Sequence, residues 1–235
     1  APDSLRAPDP TGAIFAAHVE KAALDLEAAG FGLSGMLFCP MFANEGLPTL
    51  PRGFMDATVQ VIRKHGGIVI SDEVQPGFGR AGSHFWGHDK MGFAPDVVTM
   101  GKPMANGHPV GAVATRPDIM AAFRNSFSYF NTFGGNAVSS AAALAVLDVI
   151  ADEGLQENAA RVSAHVLERM RALSHPLLAD VRANGMFFGA EFVTDADYTP
   201  ATAFVGNLVE AMVDKGFILN RIGRAQNTLK IRPPL

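Results

Sequence analysis

Ile68-Val69-Ile70-Ser71-Asp72-Glu73-Val74-Gln75-Pro76-Gly77-Phe78-Gly79-Arg80 is the stretch on which the fold turns. Ile68 to Ser71 is a short apolar run bounded upstream by Gly66-Gly67, and it reads as a buried strand. It runs directly into two acids, then into a loop rich in glycine and aromatic residues that reaches about Gly92. Upstream, Pro51 opens an expected helix with Phe54, Thr58, Val61 and Ile62 on one face, and Ser34 to Cys39 is another buried strand. Ahead of that, Thr11 is the expected N-cap of a helix carrying Phe15, Val19, Ala22 and Leu26, which Gly30 closes. Downstream, Val97 to Met100 is a further strand, ending just before Lys102, and Gly111 to Thr115 is the next. Strands that alternate with helices, each strand a continuous apolar run, indicate an α/β fold with a mostly parallel sheet covered on both faces. Ligands bind such sheets beyond the carboxyl ends of the strands, and Asp72 and Lys102 both stand at such ends.

Asn136 to Ile150 reads as a helix rich in Ala and Val, and Val162, Val166, Met170 and Leu173 mark a second. The texture then changes. Phe187 to Val193 and Thr228 to Arg232 read as strands, with a helix between them carrying Val205, Leu208, Val209 and Met212. The expected division is residues 1–150 in the larger domain and 151–235 in a smaller α+β domain, both incomplete.

Composition narrows the partners. A net charge of −4 without a run of like charges argues against a nucleic-acid surface and favours a small molecule. One cysteine, Cys39, excludes an internal disulfide and a thiolate metal site, and suits a reducing, cytoplasmic setting. The histidines show no ligand spacing, so no metal is expected, and no apolar run is long enough to span a membrane. The sequence begins without Met and without a signal pattern, and it stops at Pro233-Pro234-Leu235 straight after a strand-like run. It reads as the middle of a longer protein.

Three segments carry chemistry. An acid at the end of a buried strand is expensive unless something pairs with it. For Asp72 a pyridinium nitrogen is such a partner, because a carboxylate keeps that nitrogen protonated and the ring able to accept electrons. A helix cap or an arginine would serve Asp72 equally well on spacing alone. Lys102, one of six lysines, directly follows an apolar strand. Partial desolvation there would lower its pKa and make its amine a nucleophile, whereas a surface lysine would reach water. Tyr129 to Asn136 precedes a helix, where a hydroxyl and free backbone N–H groups suit a phosphate or an ordinary N-cap.

Taken together and in order, Asp72-Glu73-Val74-Gln75-Pro76-Gly77-Phe78-Gly79-Arg80-Ala81-Gly82, Pro95 to Lys102, Asn131-Thr132-Phe133-Gly134-Gly135-Asn136 and Asn227 to Leu235 resemble the class-III, fold-type-I aminotransferases that use pyridoxal 5'-phosphate. The resemblance covers essentially the whole chain. It is strongest to the branch holding alanine–glyoxylate aminotransferases and ethanolamine-phosphate phospho-lyases. It implies that Asp72 pairs with the pyridine nitrogen, that Val74 packs on a ring face and that Gln75 sits near the phenolic oxygen. It implies that Lys102 forms the Schiff base and shuttles the substrate proton, and that Thr132 contacts a cofactor phosphate in the partner subunit of a homodimer.

The chain also departs from the family. The Ser-Gly phosphate loop and the stacking aromatic residue of relatives are absent. Phe38-Cys39-Pro40 replaces a common Ala-Glu-Pro. Where transaminases often carry a carboxylate-binding Arg, Lys230 stands, with Arg232 two residues on. Both are candidate substrate residues. The expected activity is transamination between an amino donor and a keto acid. One alternative is elimination of phosphate from a phosphoethanolamine-like amine, and another is a fragment without activity of its own.

Overall fold

The computed structural model describes residues 11–235, which form two four-stranded sheets joined by helices. The first sheet contains β1 (Gly35–Phe38), β2 (Ile68–Asp72), β3 (Val97–Met100) and β4 (Ala112–Thr115), in that spatial order. β1, β2 and β3 run parallel, and β4 returns antiparallel on β3. Helix α1 (Ala13–Ala28), helix α2 (Asp56–Lys64) and the short helix α3 (Gly87–Met91) lie among these strands in the chain. Val69, Met55, Ile62 and Phe38 form their buried core with Phe54 and Phe93.

Asp96 aligns this sheet. Its Oδ2 accepts the Val69 N–H at 2.8 Å, while its own N–H donates to the Val69 carbonyl at 2.8 Å. The Thr115 hydroxyl donates to the Asp96 carbonyl at 2.9 Å, and Arg116 pairs with the carboxylate. One residue therefore ties β2, β3 and β4 into a single register, which fixes where β3 delivers Lys102.

After α4 (Pro117–Ser126), α5 (Ala137–Asp152) and α6 (Leu155–Arg171) comes the second sheet. Its strands are β5 (Leu178–Asn184), β6 (Phe187–Phe192), β7 (Asn220–Ile222) and β8 (Thr228–Ile231), with α7 (Thr202–Asp214) between β6 and β7. The order is β5-β6-β8-β7 and every pair is antiparallel. The fold is thus the expected α/β sheet followed by an α+β unit, but the first sheet is not covered on both faces as expected, because among the described residues nothing packs over Leu37 of β1 or Val113 of β4, which are 57% and 61% exposed. The two units share a core in which Met41, Ala43, Leu47 and Ala81 meet Phe187 and Ile222. Arg182 crosses that junction. Its guanidinium donates to the Gly46 carbonyl at 2.7 Å and to Glu191 at 2.7 Å, both side chains being buried.

Local departures from the sequence reading have identifiable causes. Gly12, not Thr11, is the N-cap of α1, at φ 69°. A Cβ at Gly12 would lie 2.0 Å from the Phe54 carbonyl oxygen, so the close approach demands glycine. α2 begins at Asp56 rather than Pro51, because Gly53 adopts φ 86° and donates its N–H to the Met91 carbonyl at 2.8 Å. With the helix start shifted, Val59 rather than Val61 is its buried valine.

Glu73 anchors the loop beyond β2. Its carboxylate is fully buried and accepts from the Ser71 hydroxyl at 2.9 Å, the Gly87 amide at 2.8 Å, the His88 amide at 2.9 Å and His88 Nδ1 at 2.8 Å. Burial pushes its pKa up, but the bonds from His88, Gly87 and Ser71 outweigh that and hold it below the usual glutamate value. A depressed carboxylate pKa contributes stability that is present above the unfolded-state pKa and lost as pH falls through the folded-state one. Urea unfolding should therefore show wild-type stability falling on acidification through this range, and Glu73→Gln should be flatter. Glu73→Ala should cost about 3 kcal/mol near neutral pH, because it strands buried donors. Equal acid slopes in wild type and Glu73→Gln would refute this account.

Candidate active site

β2 and β3 pair in parallel with Asp72 opposite Thr99, so their carboxyl ends lie side by side. β2 ends on Asp72. β3 passes through Gly101 into a 3-10 turn, Lys102–Ala105. Val74 packs near Gly101, where a Cβ would sit 3.6 Å from Val74 Cγ2. Lys102 stands at φ 35°, immediately before Pro103. Backbone strain of this kind at a non-glycine residue persists where its surroundings enforce it.

Asp72 is half-buried. Its Oδ1 accepts the Val74 N–H at 3.0 Å, and among the described residues no donor meets its other oxygen. Cys39, just past β1, lies close enough to sense Asp72. Burial first, and that carboxylate as well, push the thiol up to about 11, so it stays protonated and unreactive at neutral pH.

Between these strand ends and the second sheet lies a cleft of about 270 Å³, lined by Val74, Gln75, Arg80, Lys102, Phe187 and Arg232. A larger hollow of about 1080 Å³ lies beside β3, β4 and α4, with Val113, Met120, Phe123 and Phe127 in its wall. It is mostly apolar and lacks the clustered amine, guanidinium and amide groups of the cleft. The cleft is electropositive. Arg80 donates to the Pro233 carbonyl at 2.9 Å and lies over the Phe187 ring, 5.5 Å from its centroid. Burial and the neighbouring Arg232 both lower the Arg80 pKa. Lys230 sits behind Gln75 on β8, buried, with Nζ 2.9 Å from Gln75 Oε1 and 2.9 Å from Asn44 Oδ1. Burial, then the positive charge of Arg232, bring its pKa down to about 8.

The cleft thus brings together Val74, Gln75, Lys102 and Arg232, with Asp72 two residues before Val74 and Lys230 behind Gln75. Thr132 is exposed, on the loop before α5, and does not line this cleft. In that loop the Gly134 amide is not free for an anion. It donates to Asn131 Oδ1 at 2.9 Å, and Asn136 caps α5 through the Ser139 amide. Lys102 is exposed rather than partly buried, because the turn that carries it sits at the mouth of the cleft. Arg80, Phe187 and Asn44 were not anticipated as site residues. Arg80 lies within the decisive segment, whereas nothing in the pattern around Asn44 marks it.

These groups suit pyridoxal phosphate. A primary amine stands at a strand end for an aldehyde, a carboxylate with an unengaged oxygen stands at the next for a ring nitrogen, and Val74 and the Gln75 amide lie between. Among the described residues no cluster of His, Cys, Asp and Glu could hold a metal, and no helix is long and apolar enough to cross a membrane.

Comparison with known proteins agrees. A family model described as aminotransferase class-III matches residues 9–235. The chain is 41% identical to "Alanine--glyoxylate aminotransferase 2 homolog 2, mitochondrial" of Arabidopsis thaliana, over 97% of this chain and 49% of that protein. A phospholyase from Arthrobacter, solved in complex with phosphoethanolamine, superposes with TM-score 0.88 at 43% identity, over 93% of this chain and 53% of that one. A PMP-bound aminotransferase from Vibrio fluvialis superposes with TM-score 0.82 at 28% identity, over 95% of this chain and 51% of that one. The chain spans about half the length of the curated relatives it matches. Its sheet order, its lysine and aspartate on adjacent strand ends, and a match along nearly its whole length agree that this chain belongs to the class-III aminotransferase family, whose cofactor is pyridoxal phosphate.

Proposed function

We propose that the protein containing this chain is a transaminase that moves an amino group from an amino donor to a keto acid, with Lys102 as the covalent anchor of pyridoxal phosphate. The observation that carries this reading is the placement of Lys102 and Asp72 on adjacent parallel strand ends, with Val74 and Gln75 beside them. The bound cofactor would supply an electron sink for a carbanion at the substrate carbon. Asp72 would hold a proton on the ring nitrogen. Val74 would support a ring face, and the Gln75 amide would meet the phenolic oxygen. The Lys102 amine, once released from the cofactor, would be the base that moves the substrate proton. Arg232, which opens onto the cleft, and Lys230 behind it would favour an anionic substrate group.

The positive lining also suits a second reading, elimination of phosphate from a phosphoethanolamine-like amine. The likeness to the Arthrobacter phospholyase supports it. Assay of the full-length protein with alanine and glyoxylate, against phosphate release from phosphoethanolamine, separates the two. In the same proposal the domain division falls near residue 150. The compartment is the cytosol, which suits the lone reduced Cys39, although two relatives are named as mitochondrial.

Borohydride reduction of the cofactor-loaded full-length protein, followed by peptide mapping, should place the pyridoxyl label on Lys102. A label on another lysine would sink the assignment. Lys102→Ala should retain only non-covalent cofactor and lose turnover.

Asp72→Asn should slow substrate proton abstraction on the order of a hundredfold or more, as measured by single-turnover absorbance. Near-normal rates in that variant would exclude Asp72 as the partner of the ring nitrogen.

We further propose a homodimer with shared sites, in which Thr132 reaches the partner's cofactor phosphate. The exposure of Thr132 away from its own cleft supports this. Mixing a Lys102→Ala chain with a Thr132→Ala chain would then put both lesions in one site of each heterodimer and leave the other intact. Random reassociation should restore about a quarter of wild-type activity. No restoration, or an active monomer, would contradict the arrangement.

A further inference from the structure

The side chain of Lys230 is buried, yet its ammonium is not idle. One N–H donates to Gln75 Oε1 at 2.9 Å and another to Asn44 Oδ1 at 2.9 Å, while Nζ lies over the Phe187 ring, 5.3 Å from its centroid. An ammonium carries donors and no acceptor. It can therefore be satisfied only by the oxygen ends of the two amides. While Lys230 is protonated, this decides which end of the Gln75 amide faces it. With Oε1 of Gln75 held inward, the only other polar atom of that amide is its NH2, and Gln75 lines the cleft beside Lys102 and Val74. Asn44 is itself fixed, because its backbone carbonyl accepts the Gly223 amide at 2.9 Å.

We propose that Lys230 is a positioning residue, which turns the Gln75 amide so that it presents its NH2 donor to the cleft at the place of the cofactor's phenolic oxygen. This rests on the reading that Lys102 carries the cofactor and that Gln75 lies near that oxygen. A donor at the phenolic oxygen stabilises its anionic form and so eases loss of the proton shared with the lysine-linked nitrogen. An amide free to rotate offers its oxygen part of the time, which repels the same anion. The role is separate from any attraction that the Lys230 charge exerts on an anionic substrate group, since its amine faces Gln75 and Asn44 rather than open cleft.

The test uses the full-length, cofactor-loaded protein and reads the pH midpoint of the visible absorbance of the Lys102-linked cofactor, not turnover. Lys230→Met keeps the length and apolar contacts of the stem and should raise that midpoint by about one unit. Lys230→Arg retains donors and charge and should stay near wild type. The deciding measurement is Lys230→Met in a Gln75→Leu background. If Lys230 acts through Gln75, the second substitution adds little. A shift of the same size in both backgrounds means that Lys230 acts by charge alone and overturns the proposal, as does no shift in Lys230→Met. Borohydride labelling of the same preparations keeps the two readings apart. A label away from Lys102 overturns the parent assignment, whereas a label on Lys102 with an unmoved midpoint overturns only the role of Lys230.

Discussion

Glu73 is a carboxylate without access to water whose oxygens accept four hydrogen bonds, and the loop that follows β2 is shaped around it. Burying such a charge is tolerable only because donors meet both of its oxygens, three on Oε1 and one on Oε2. Those donors come from Ser71 behind it and from Gly87 and His88 at the start of α3, so the chain must leave the sheet, circle and return. Asp72, Val74 and Gln75 are held between the fixed strand and the fixed turn. Their positions are a by-product of satisfying their neighbour.

The second sheet is coupled to the loops beyond β1 and β2 by side chains that reach across from its own strands. Arg182 clamps the Gly46 carbonyl, and Lys230 grips Asn44 and Gln75 together. The apolar contacts among Met41, Leu47, Ala81, Phe187 and Ile222 exclude water from around these bonds, which strengthens them. The cleft is therefore not a groove cut into one unit. One wall is the segments just past the carboxyl ends of β2 and β3, the other is the start of β6 and the end of β8, and neither unit alone arranges the Gln75 amide.

Much of this was legible in the sequence, for physical reasons that differ between elements. β1, β2 and β3 announce themselves as short, mostly apolar runs, a pattern that reads as strand whether or not both faces end up covered. The hydrogen-bonding surroundings of Asp72, Lys102 and Gln75 were less legible, and family resemblance carried their roles further than spacing could. β5 escaped notice because Asp180 and Arg182 interrupt its apolar residues, and the Arg182–Glu191 pair that makes this tolerable joins residues on different strands. β7 has only three residues, too few for a period to register. Asn44 lies in an irregular loop and gains its role entirely from β8, far away in the chain. The α1 cap failed for a related reason. The choice of Gly12 over Thr11 is made by the Phe54 carbonyl, a contact that no local rule contains.

β4 runs against its neighbour in a sheet that is otherwise parallel, and this divides the site by range of contact. A parallel partner is reached only through a long crossover, whereas an antiparallel one follows a simple reversal of the chain. From Asp72 to β3 the chain must travel the whole Glu73 loop and α3, while β3 meets β4 after the short passage from Gly101 to Gly111. Closing the shorter passage costs less conformational entropy. Lys102 thus rides on the most local strand pairing in its sheet, and Asp72 is held only by remote ones. The amine and the carboxylate on these adjacent strand ends belong to different layers of chain organisation, one secured by near neighbours and the other by the completed architecture.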